Sequence, residues 1–126
     1  MKQLHPDVLQ GIQAFNQGEY YAAHEYFEDA WHDTRDNARE YSRALLHLSG
    51  GYYRLTQDRP AAARKFFTRA LAWIEPFSSP YHKIDSTAII NQLKLLIDAI
   101  DSGKSSRTLL NEHAFQIPSI NRKRSS

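Results

Sequence analysis

The chain has 126 residues, no cysteine, and 16 Lys+Arg against 14 Asp+Glu, for a formal charge of +2. That is one domain's length, enough to bury a core without disulfides or Cys-ligated metal, and so even a charge gives no electrostatic case for nucleic acid. The opening MKQLHPDVLQGIQAF has neither a long apolar stretch nor a small-residue cleavage site, and no apolar run is long enough to span a bilayer, so a soluble cytoplasmic domain is expected.

Met1 to His5 reads as a frayed end. Pro6 suits a first helical turn, where its missing N–H costs nothing. Val8, Ile12 and Phe15 follow at helical spacing, which predicts a helix over Pro6–Asn16. Asn16 and Gly18 both tolerate left-handed backbone and end it. A second helix is predicted over Tyr20–Thr34, with Tyr20, Ala23, Phe27, Ala30 and Trp31 on one face. His24 lies at the edge of that face with Glu28 just beyond; Glu25 and Asp29 point away.

A third helix is predicted over Arg39–Gln57, its apolar face carrying Tyr41, Leu45, Leu48, Tyr52 and Leu55. Leu46 and Tyr53 make a second strip, so this helix is either central in a bundle or meets a partner chain. Gly50 and Gly51 each cost up to about 1 kcal/mol against alanine in mid-helix; close approach of a neighbouring backbone is the expected compensation. Pro60 opens a fourth helix with Ala63, Phe67, Ala70, Leu71 and Ile74 on one face, flanked by Phe66 and Trp73. Pro76 and Pro80 bracket a serine loop. Asp85 or Ser86 caps a fifth helix carrying Ile89, Leu93, Leu96, Ile97 and Ile100, and Gly103 ends it. The expected organisation is a single helical domain over 1–103. The tail, 104–126, is expected to be extended or partly disordered, with Leu109, Leu110, Phe115, Ile117 and Ile120 laid along the body and NRKRSS free. No stretch alternates with period two. The fold class is therefore all-α, a bundle of about five helices in antiparallel hairpins.

Two stretches align without gaps at an offset of 40, one from Gly11 and one from Gly51. Ala23 matches Ala63, Phe27 matches Phe67, and Ala30 matches Ala70. Small residues with aromatics between them let one helix nest on the helix before it. The pattern resembles the tetratricopeptide repeat, although the offset exceeds that family's period of about 34 residues and two copies suit a compact bundle rather than a solenoid.

The polar cluster is His24-Glu25-x-x-Glu28-x-x-Trp31. His24 and Glu28, four apart, share a helix face. Three chemistries fit. The pair could ligate a divalent metal, with His47 of the third helix as the further ligand. It could act as an acid–base couple, the histidine's titration tuned by the carboxylate. Or it could be a hydrogen-bonded structural pair at the core edge. Trp31 and the tyrosines read as core. His5, His32, His82 and His113 are scattered and receive no role.

Asn16-x-Gly18-x-Tyr20 followed by this cluster resembles the signature of the small helical family catalogued as domain of unknown function 309. The similarity continues through LLHLSGGYYRL and RPAAARKFFTRAL, and covers roughly Leu9 to Phe77. Leu46-His47-Leu48 departs from the glutamine-rich pattern expected there, which leaves the role of His47 open. The resemblance implies an all-α fold, a bacterial-type cytosolic origin and no established activity. It also implies that Asn16, Gly18, Tyr20, His24, Glu25, Glu28 and Trp31 form a characteristic surface or pocket.

The reading is an uncharacterised helical domain serving as a protein-interaction or structural module, with a protein partner or self-association, such as a dimer through the Leu46/Tyr53 strip. The alternative is a hydrolase or metal-binding protein using His24 and Glu28. No cofactor is required, and a divalent metal is the one the motif would admit. Nucleic acid is not expected as a partner: Arg122, Lys123 and Arg124 read as a solvated tail.

Overall fold

A computed structural model describes residues 4–77 and 79–118. Six helices follow in order: α1 Pro6–Asn16, α2 Tyr20–Asp33, α3 Ala38–Thr56, α4 Pro60–Ile74, α5 Ser86–Asp101 and α6 Ser106–Glu112. The first five lie where hydrophobic spacing places them, and the fold is all-helical. None of the described helices is long and apolar enough to cross a membrane.

The helix ends follow local chemistry. His5, read as part of a frayed end, instead accepts the Asp7 N–H on its Nδ1 at 3.1 Å and caps α1. Asp36 accepts the Ala38 N–H at 3.0 Å ahead of α3. Asp85 accepts the Ala88 N–H at 3.0 Å and caps α5. Each satisfies one of the donors that a helix start leaves without an internal partner.

Successive helices pack on one another, α1 on α2, α2 on α3, α3 on α4 and α4 on α5, and α6 folds back onto α3. The central α3 buries Tyr41, Leu45, Leu48, Tyr52 and Leu55 against Phe15, Phe27 and Phe67 from its neighbours and Ile89, Leu93 and Leu96 from α5. Each such apolar side chain contributes about 1.5–3 kcal/mol by leaving water. The two buried tyrosine hydroxyls of α3 find partners: Tyr41 Oη meets Ser86 Oγ at 2.9 Å, and Tyr52 Oη donates to the His113 carbonyl at 3.1 Å.

The 40-residue alignment corresponds to one building plan used twice. A Cβ on Gly11 would lie 2.5 Å from the Phe27 ring, and one on Gly51 would lie 2.3 Å from the matching Phe67 ring. The aromatic ring of the second helix in each hairpin sits where the first helix has no side chain. The compensation expected for the mid-helix glycines is thus a ring and not a backbone. The turns also correspond: Glu19 N–H donates to the Ala14 carbonyl and Arg59 N–H to the Arg54 carbonyl, both at 2.9 Å. The left-handed residue is Gly18 (φ 81°) in the first turn and Asp58 (φ 56°) in the second.

The segment after Gly103, expected as a tail, contains α6, capped by Ser105 through the Thr108 N–H at 3.1 Å. Leu109 and Ile117 are buried. Residues 113–118 then run across the ends of α1, α3 and α5. Ile120 and the basic NRKRSS terminus lie outside the described residues, as does Ser78.

Candidate functional site

The residues of the sequence motif divide between two places. Asn16, Gly18 and Tyr20 build the junction of α1, α2 and the C-terminal segment. The Asn16 side chain accepts the Ile117 N–H at 2.7 Å and donates to the Ile117 carbonyl at 3.2 Å, a two-bond clip. Gln92 supports the same segment, donating to the His113 carbonyl at 2.8 Å and to Tyr52 Oη at 2.9 Å. Tyr20 stacks on Tyr52 with centroids 5.0 Å apart, and burial raises its hydroxyl's pKa. These three residues serve architecture.

His24 and Trp31 belong to a different surface. α2 and α4 flank α3, and between them α3 presents Arg39, Arg43, His47, Gly50 and Arg54 at helical spacing. Gly50 is buried, with its neighbours closing over it: a Cβ there would lie 2.7 Å from the Phe66 ring of α4 and 3.5 Å from His24 Cδ2 of α2. At one end of this stripe the Arg43 guanidinium lies between the two tryptophans, 5.4 Å from the Trp31 ring centre and 4.3 Å from Trp73. Arg39 covers Trp31 as well, at 4.6 Å. At the other end Arg54 lies over Phe66 at 4.5 Å and beside Tyr53 at 5.7 Å. Each contact of this kind contributes about 0.5–1 kcal/mol and fixes a guanidinium plane that would otherwise swing freely.

The expected His24–Glu28 pair is not hydrogen-bonded. Glu28 leans to His32, with 3.9 Å between Oε2 and Nε2. His24 Nδ1 is buried without a hydrogen-bond partner, and its ring stacks near Tyr21, with centroids 6.1 Å apart. Burial lowers its pKa, Glu28 works against that shift, Arg54 adds to it, and Glu25 again opposes it. His47 donates from Nδ1 to the Arg43 carbonyl at 3.2 Å, which fixes its neutral tautomer. Burial holds His47 at a pKa of about 4, with Arg43, Arg69 and His24 adding to the shift. Both histidines are therefore uncharged at neutral pH. Glu25 is exposed on α2.

Among the described residues, the three metal-ligating side chains whose ligand atoms come together, within 4.8 Å, are His5, Asp7 and Asp33; His24, Glu28 and His47 do not form such a set. In the His5 group, Nδ1 already accepts the Asp7 N–H, so the ring proton sits on Nε2, directed at Asp33 at 3.4 Å. Neither nitrogen has a lone pair free for an ion. The Leu46/Tyr53 strip is not a free apolar face either: Leu46 is buried and Tyr53 half-buried.

Sequence reasoning missed the arginines. The 39–43–47 and 50–54 spacing along the polar flank of α3 was the available signal, but it reads as an ordinary solvated face until α2 and α4 are seen to bring Trp31, Phe66 and Trp73 beside it.

The family model described as "Domain of unknown function (DUF309)" matches residues 8–66, which bears out the family resemblance seen in the motif. No curated protein matches the chain.

Proposed function

We propose that this chain is a helical protein-interaction module that receives an acidic segment of a partner along the α3 stripe between α2 and α4. The observation that carries the reading is the Trp31–Arg43–Trp73 stack. Two half-buried tryptophans and a guanidinium held flat between them are the side chains that most often dominate binding energy at protein interfaces. Beside the stack, Trp73, Phe77 and Tyr81 line a depression of about 590 Å³ that extends the aromatic surface. The charge favours an acidic partner: Arg39, Arg43, Arg54 and Arg69 lie along the stripe, and Glu40, at 3.8 Å from Arg39 and 4.0 Å from Arg43, offsets only one end of it.

The test is to pan a random dodecapeptide library on the full chain, with Arg43→Gln and Trp73→Ala as counter-targets. The reading expects enrichment of Asp/Glu-bearing peptides whose affinity falls roughly tenfold or more in either variant, the loss typical of removing an interface anchor. No enrichment, or peptides that bind the folded variants equally well, would contradict it.

A further inference from the structure

We infer that the pocket at the Arg54 end of the stripe is a receptor for a single carboxylate, contributed by an aspartate or glutamate side chain of the bound segment. The inference rests on the interaction reading above and specifies the group recognised. The pocket is a depression of about 210 Å³ lined by Tyr21, His24, Tyr53, Arg54, Gln57 and Arg59. A carboxylate fits this space, and all six residues carry an N–H or O–H donor: two guanidiniums, two phenol hydroxyls, one amide and one neutral imidazole.

Two observations point to an anion. First, the ion pairs that arginines make lie elsewhere, at Arg39, Arg43 and Arg64, so neither Arg54 nor Arg59 is neutralised by a carboxylate among the described residues. Second, Arg54 is pre-oriented. The Phe66 ring at 4.5 Å and the Tyr53 ring at 5.7 Å fix its fork, and Tyr53 is itself packed on Tyr21 at 5.1 Å. A guanidinium ordered by rings keeps its N–H donors for a ligand, and the ordering entropy is already spent before binding.

The charge around the pocket is mixed. Glu25 and Glu28 are close enough to act on His24, opposing Arg54 there. A dianionic phosphate would double the attraction to the two guanidiniums as well as the repulsion from the two glutamates, so the carboxylate follows from the acidic segment of the reading above, and a phosphoserine probe tests that choice. His24 is neutral, so the favourable charge comes from two guanidiniums alone.

The test uses three small probes on the full chain: N-acetylglutamate amide, its glutamine counterpart and the O-phosphoserine counterpart. The readout is the arginine Nε–Hε resonances in nitrogen–proton correlation spectra. The glutamate probe is expected to shift the Arg54 resonance saturably in the millimolar range, the glutamine probe not at all, and the phosphoserine probe to bind no more tightly than glutamate. Arg59→Gln, at an exposed position before α4, should weaken the glutamate probe roughly tenfold or more, the loss expected for a hydrogen bond between charged groups. The same shift from glutamate and glutamine probes, tighter binding of phosphoserine, or full binding by folded Arg59→Gln would overturn the assignment. If panned peptides lose affinity in Trp73→Ala but not in Arg59→Gln, the docking face stands and the pocket falls. If the glutamate probe binds while no peptide depends on Trp73, the pocket stands and the docking face falls.

Discussion

The two hairpins share a lock and a turn, yet they carry opposite surfaces. In each, a glycine on the first helix admits a phenylalanine ring from the second, Gly11 with Phe27 and Gly51 with Phe67. In the first hairpin the solvent side of α2 is acidic, with Glu25, Glu28 and Asp29 beside Tyr26 lining a shallow depression. In the second hairpin the matching positions of α4 are Lys65, Thr68 and Arg69, neutral or basic. The difference teaches that the buried half of a repeat is constrained by ring-against-backbone packing, while the outer half is free to diverge and acquire a binding character.

The largest expected effect tests the lock. Gly51→Ala should destabilise the chain by about 1–3 kcal/mol, because the added methyl meets a fully buried ring that has nowhere to go. Gly11→Ala should cost a similar amount if the two hairpins are equivalent. Urea unfolding midpoints check both, and a cost at Gly51 with none at Gly11 would break the equivalence. Gly50→Ala sharpens it from the other side. Its nearest neighbour is the half-buried Phe66 at 2.7 Å, which can move outward, so the cost should be well below that of Gly51→Ala.

Acid should act on the second hairpin through His47. Its pKa in the folded chain, about 4, lies below the unfolded value of 6.5. The unfolded chain therefore binds more protons between those values, and stability falls as the pH drops from 6.5 towards 4. Discounted for partial exposure, His47 accounts for on the order of 2 kcal/mol of that loss. His24, shifted in the same direction, adds to it. Unfolding free energies measured across this range should show a shallower slope in His47→Gln; an unchanged slope would show that the histidine is not desolvated.

Asn16 marks a smaller asymmetry. Its counterpart at the 40-residue offset, Thr56, bonds only within its own helix, to the Tyr53 carbonyl. Asn16→Ala should cost about 1–2 kcal/mol, from two lost hydrogen bonds, and should speed amide exchange at Ile117, while Thr56→Ala should do neither. The smallest effect concerns the turns. Gly18→Ala places a side chain at φ 81° and should cost about 1 kcal/mol, whereas Asp58→Gly, at φ 56°, should be neutral or slightly stabilising.

These contrasts show how much was legible in the residues. Apolar spacing located five helices to within a residue or so, because each buries a face with a regular period. The repeat was legible because small residues and phenylalanines recur at a fixed offset. α6 was not, since its seven residues are too few to display a period beside a serine-rich stretch. Asn16 reads in the sequence as a helix terminator and, by the family resemblance, as part of a characteristic surface; its clip to Ile117 joins positions 101 apart in sequence, and no local pattern encodes that. His24 and Glu28 lie one helical turn apart, but side-chain direction decides pairing, and Glu28 turns to His32. The aromatic stacking on the arginines depends on which helices flank α3, so it became visible only with the packing.

The most direct test of the central claim uses the chain's two tryptophans, both of which lie on the proposed face. An acidic peptide selected on the chain should change tryptophan fluorescence saturably in the wild type. It should also do so in Trp31→Phe and in Trp73→Phe, where the single remaining indole reports. Calorimetric binding of that peptide with neither indole responding would place the partner elsewhere and contradict the account.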